Sequence, residues 1–121
     1  MAAWLWVFLG GGLGSMSRYG ISRLLGKVNS SFPFATLAAN ILACILLGFL
    51  VGLSLREELG PTNRLFLMTG FCGGFSTFST FSSETWQLFE SGHYAYALGN
   101  IGGSVLLCLF AIFIGLKLAA T

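Results

Sequence analysis

From Ser76 to Ser82 the chain reads Ser-Thr-Phe-Ser-Thr-Phe-Ser, a repeat of hydroxyl, hydroxyl and phenyl inside an interval from Leu65 to Ser83 that carries no charge. A hydroxyl left unpaired in hydrocarbon costs on the order of 1 to 3 kcal/mol. A membrane helix that only filled space would therefore use Leu, Ile and Ala. The repeat reads instead as the wall of a narrow polar path, and its groups suit an anion. Ser79 and Thr80 supply neutral donors, while Phe78 and Phe81, three apart on one helix face, can offer the positive edges of their rings to an ion that has shed water. In a chain with twelve Phe, Phe75, Phe78 and Phe81 would by default be packing or lipid-facing rings; the interleaved hydroxyls argue otherwise.

Two more polar tracks share this character. Thr36, Asn40 and Cys44 recur at four-residue spacing, as do Asn100, Ser104 and Cys108, so each set lies on one helix face. Together the three tracks make a ladder of uncharged polar groups across a bilayer. Asn40 taken alone has two readings, a donor in the path or a hydrogen bond to a neighbouring helix, the latter generally worth about 0.6 kcal/mol.

The elements that position these residues follow from composition. The 121 residues are 55% hydrophobic and only 8% charged, which excludes an ordinary soluble domain. The charges fall at Arg18, Arg23 and Lys27, at Arg56, Glu57, Glu58 and Arg64, at Glu84 and Glu90, and at Lys117. The intervals between them approach or exceed the roughly 20 residues that cross a hydrocarbon core. We expect an all-α, single-domain membrane protein over 1–121 with helices at 3–25, 33–55, 62–90 and 94–118, the third broken near 73–79. The first helix is expected to be retained, since no positively charged leader or small-x-small cleavage site accompanies it. Pro33 fits the first turn of helix two and Thr62 an N-cap of helix three. Gly10 and Gly14, Gly48 and Gly52, and Gly99 and Gly103 form small-xxx-small pairs suited to close packing. Gly73-Gly74 is the expected cause of the break, each glycine raising the cost of helix by roughly 1 kcal/mol relative to Ala.

With four spans both termini share a side. Arg56, Arg64 and Lys117 then balance Arg18, Arg23 and Lys27, leaving the positive-inside rule almost nothing to act on. The balance is consistent with insertion in both orientations and hence with an antiparallel homodimer. A partner is also needed because four helices around one axis pack solid. Arg18 stands at the mouth of helix one, where a positive charge suits an anion; the alternative is a snorkelling structural residue. Glu84 is expected to pair with an arginine or cap the broken helix. An enzyme is not expected: Cys44, Cys72 and Cys108 form no C-x-x-C pair, His93 has no ligand partner at useful spacing, and the hydroxyls lack a base. The rival reading is a small multidrug or cation exporter, which needs a membrane-embedded carboxylate. The first three uncharged intervals hold none. Nucleic acid is not an expected partner.

Thr69-Gly70-Phe71-Cys72-Gly73-Gly74-Phe75-Ser76-Thr77-Phe78-Ser79-Thr80-Phe81-Ser82 followed by Glu84 resembles the signature of the bacterial fluoride channels, the Fluc or CrcB family. Gly10 to Gly14 through Arg18, and Thr36 to Asn40, resemble its other motifs. The resemblance implies passive fluoride export that relieves toxicity, through two pores of a dual-topology dimer in the bacterial cytoplasmic (inner) membrane. It also implies a structural Na+ at the dimer centre on the backbone carbonyls of Gly73 and Ser76. Carried over by position, Phe78 and Phe81 match the pore phenylalanines, Asn40 the pore asparagine, Ser79 and Thr80 the adjacent hydroxyls, and Arg18 a vestibule arginine. Asn100, Ser104 and Cys108 stand where relatives have a helix-four pore face.

Overall fold

The computed structural model describes residues 2–26 and 31–121, and every regular element among them is helical. Of the expected first loop, Lys27 to Ser31, residues 27–30 lie outside the described residues. Helix α1 runs Ala2–Leu25 and α2 runs Phe34–Leu55, with Pro33 at its N-cap position, one residue earlier than expected. Then follow α3 (Pro61–Asn63), a π-helical segment (Arg64–Cys72) and α4 (Gly73–Phe75), which join without leaving right-handed helical geometry. Helix α5 is Phe78–Glu90 and α6 is Tyr94–Ala120. Gly60 occupies the N-cap of α3 and Pro61 its first turn, so Thr62 is not the cap.

Helices α2 and α6, of 22 and 27 residues, are long and apolar enough to cross a membrane. Only 28% of the apolar window of α2 and 17% of that of α6 is buried within the protomer. A core helix of a soluble protein would bury most of such a window. Leu106, Leu109, Phe110 and Phe113 of α6 and Trp4, Phe8 and Met16 of α1 all face outward, as side chains do whose solvent is lipid.

Glycine sets how the helices pack. A Cβ at Gly10 would fall on the Phe66 carbonyl and one at Gly14 on the Phe71 carbonyl, so α1 lies directly against the π-helical segment. Helices α2 and α6 approach in the same way: a Cβ at Gly48 would strike the Ile112 carbonyl, and one at Gly115 the Ile45 carbonyl. The third expected pair behaves differently, because Gly99 and Gly103 have nothing within 4 Å in the protomer.

The third span is broken within the expected range 73–79, but not at the glycines. Gly73 and Gly74 stay helical, and the chain becomes extended at Ser76 (φ −85°, ψ 157°) and Thr77 (φ −152°, ψ 125°). Gly74 serves close approach: a Cβ there would fall on the Gly11 carbonyl of α1. Its lack of a side chain is needed for packing, and the interruption is left to the hydroxyl residues that follow.

Two substitutions separate packing from propensity. Gly48→Ala is expected to lower stability by about 1 to 3 kcal/mol through overpacking, seen as a lower thermal unfolding midpoint in detergent. Gly12→Ala, where a Cβ meets nothing within 4 Å, should leave that midpoint unchanged or raise it.

Candidate functional site

Two extended residues in the middle of a span expose peptide groups that a continuous helix would have paired. Asn40, from α2, takes both sides of Thr77: its Oδ1 accepts the Thr77 N–H at 2.9 Å and its Nδ2 donates to the Thr77 carbonyl at 3.3 Å. The amide carries two N–H groups, so one remains for the space beyond. Thr77 is in turn the N-cap of α5, its hydroxyl oxygen accepting the Thr80 N–H at 3.2 Å. The same oxygen lies 3.2 Å from Thr80 Oγ1 and 3.3 Å from Ser79 Oγ. On the other half, Arg18 Nε donates to the Gly74 carbonyl at 3.2 Å, satisfying one of the orphan acceptors at the end of α4.

Beside the break opens a cleft of about 260 Å³ lined by Asn40, Cys44, Ser76, Thr77, Phe78, Phe81, Ser104, Val105 and Cys108. Five of the residues expected to line the path, Asn40, Phe78, Phe81, Ser104 and Cys108, are thus brought together. None of the lining side chains is charged. Phe78 is 78% exposed in the protomer, and its ring centroid lies 5.6 Å from that of Phe81 at a 39° tilt. Phenyl rings and hydroxyl-bearing side chains therefore border the same opening.

Ser79, Thr80 and Asn100 do not line the cleft. The hydroxyls of the first two lie against the capping hydroxyl of Thr77, at 3.3 and 3.2 Å. Asn100 is 2% exposed and lies behind the wall. There Ser104 Oγ donates to Asn100 Oδ1 at 3.1 Å, Asn100 Nδ2 donates to Thr85 Oγ1 at 2.9 Å, and Thr85 Oγ1 donates to the Phe81 carbonyl at 2.7 Å. This relay ties α6 to α5 and holds the turn that presents Phe81. The Ser104 hydroxyl proton is thus engaged by Asn100.

Thr36, at the far end of the α2 track, is buried and is the hydrogen-bond partner of Glu84. The other carboxylate oxygen, Oε1, is buried with no hydrogen-bond partner among the described residues. Glu84 thus neither caps the break nor lines the cleft, and the arginine near the break is on a carbonyl. Ser76 and Thr77, part of the repeat read as a wall but not singled out as path donors, both line the cleft. The only signal for Thr77 as a cap is its residue type, since Thr is favoured at helix N-caps.

Gly73 and Ser76 share a second, smaller pocket of about 130 Å³ with Ala43, Cys44, Leu47, Met68 and Cys72. The N–H that would pair with the Gly73 carbonyl in a helix belongs to Thr77 and is held by Asn40. The Ser76 carbonyl is swung out of the helix direction by its extended ψ. Both are carbonyl oxygens freed by the break, the donor type that a hard cation takes.

Asn40→Ala would strand a part-buried peptide N–H and carbonyl at once. The expected cost is on the order of 1 to 3 kcal/mol, read as a lower unfolding midpoint, and Asn40→Gln should not recover it because the longer side chain misplaces both contacts.

Comparison with known proteins agrees with these features. The family model described as CrcB-like protein, Camphor Resistance (CrcB), matches residues 5–116. A protein of Pyrococcus furiosus named fluoride-specific ion channel FluC is 50% identical over 114 residues, covering 93% of this chain and 92% of the relative. Proteins of the same name from Pyrococcus horikoshii and Chlorobium phaeobacteroides are 46% and 43% identical, covering 93% and 95% of this chain and 92% and 90% of the relatives. The interrupted third span and its uncharged cleft are therefore those of a member of the CrcB family, to which this chain belongs.

Proposed function

We propose that this integral membrane protein is a fluoride channel, and that the cleft at the Ser76–Thr77 break is one wall of its path. The observation that carries the reading is a membrane cleft bordered by phenyl rings and neutral polar groups and free of charged side chains, in a chain half identical to a protein named fluoride-specific ion channel FluC. Fluoride would exchange part of its water shell for the free N–H of Asn40, the Ser104 hydroxyl and the edges of Phe78 and Phe81. Neutral groups suit conduction, because an ion must bind well enough to enter and weakly enough to leave. A fixed cation in the cleft would trap it.

The path is completed by a second copy inserted in the opposite sense. Three basic residues on each side support this, as does the protruding Phe78, which has no cover in one protomer. The Gly73 and Ser76 carbonyls of both copies would hold a Na+ between them, one protomer alone offering too few oxygens for a hard cation. When bound, that ion would neutralise converging carbonyl dipoles and join the two breaks. The membrane concerned is the bacterial cytoplasmic (inner) membrane, where passive outflow lowers internal fluoride. No observation favours an exporter of cations: the cleft holds no carboxylate, and Glu84 is directed to Thr36.

Liposomes test the path residue by residue. Phe81→Ile removes the ring and its quadrupole while keeping bulk, and should cut fluoride efflux at least about tenfold if ring contacts lower the barrier by about 1.4 kcal/mol or more. Asn40→Asp replaces a donor by a negative charge and should abolish efflux. Wild-type rates in both variants would overturn the assignment of this cleft.

A further inference from the structure

Three cysteines sit near the break, and two of them line the main cleft. Cys44 and Cys108 both line the main cleft, and each is half-buried. Their helices run parallel in a register visible at three levels. Asn40 and Ser104 meet at the cleft, Gly48 lies on Ile112 one turn beyond the cysteines, and Gly52 lies on Ala119 after that. Cys44 and Cys108 occupy the level between the first two. Both side chains border the cleft at that level. Cys72 lies in the smaller pocket with Cys44 and does not reach the main cleft. Among the described residues no three Cys, His, Asp or Glu side chains converge as a metal site, so any ion held here has two sulfur ligands.

Two thiols at one level of a cleft, with no third ligand of that kind, match the preference of soft monovalent cations, which bind thiolate sulfur far better than oxygen. We propose that Cys44 and Cys108 form a two-coordinate site for a cation of the Cu+ or Ag+ class, and that filling it closes the fluoride path. Each thiol gives its proton to cleft water as its sulfur bonds the metal, with no change of oxidation state. Two thiolates and one monovalent cation leave a net charge of −1 on the wall. An anion in the same cleft is repelled by that charge and obstructed by the added atom. The closing half of the proposal rests on the channel reading; the binding half does not.

Silver nitrate is the probe, in nitrate medium, since chloride precipitates silver and fluoride does not. Purified protein titrated with silver and desalted should retain one silver per chain. Cys44→Ser and Cys108→Ser should each lose it, and Cys72→Ser should keep it. Should a serine variant fail to fold, the wild type still decides: silver should shield Cys44 and Cys108 from alkylation, as read by peptide mass spectrometry, and leave Cys72 as reactive as before. Equal silver retention by all three variants, or no shielding of the pair, overturns the site. In liposomes saturating silver should slow wild-type fluoride efflux about tenfold or more, because a fixed negative charge in the path disfavours an anion, and a thiol chelator should restore it. Bound silver with unchanged efflux overturns the closing. Absence of efflux before silver is added overturns the channel reading and leaves the silver site standing.

Discussion

An interrupted helix in lipid must find partners for its peptide groups, and most of the polar chemistry of this protein follows from that requirement. Asn40 clamps both peptide groups of Thr77, the Thr77 hydroxyl caps α5, and Arg18 reaches across from α1 to the Gly74 carbonyl. Once these contacts are made, what remains is a short inventory: one N–H of Asn40, the carbonyls of Gly73 and Ser76, and the Ser104 hydroxyl shared with Asn100. The site consists of what the break leaves over.

This dependence explains why charge is absent from the cleft. Arg18 is close to the break, yet its guanidinium is engaged by a carbonyl, and Glu84 is turned to Thr36. Donors that are also structural cannot swing far to follow an ion. Neutral groups held in place give a shallow well, which suits passage better than capture. The buried chain from Ser104 through Asn100 and Thr85 to the Phe81 carbonyl has the same effect on the aromatic rim, since it fixes the backbone from which the ring projects.

Much of the architecture was legible in the sequence because charge is so costly in hydrocarbon that its positions mark the span ends. The limits expected for α1, α2 and α6 fall within two residues of those observed. The position of the break was less legible. Gly73-Gly74 advertises weak helix propensity, but Gly74 is needed where α1 passes, and propensity differences of about 1 kcal/mol yield to packing. Spacing also placed Asn100, Ser104 and Cys108 on one face correctly without revealing depth: Ser104 and Cys108 reach the cleft while Asn100 is sealed behind them. Ser79 and Thr80 had the right chemistry but the wrong allegiance, because a helix start competes for nearby hydroxyls. Which hydrogen bond a polar side chain chooses depends on partners distant in sequence, and Asn40 with Thr77 is the clearest case.

The central claim is that the leftovers of a clamped helix break pass fluoride in preference to larger halides. Its most direct test is the ratio of fluoride to chloride efflux from liposomes containing only this protein, with the membrane potential clamped by an ionophore. Rapid fluoride loss with chloride held at the rate of protein-free vesicles is the predicted result; comparable loss of both ions, or of neither, would contradict the account.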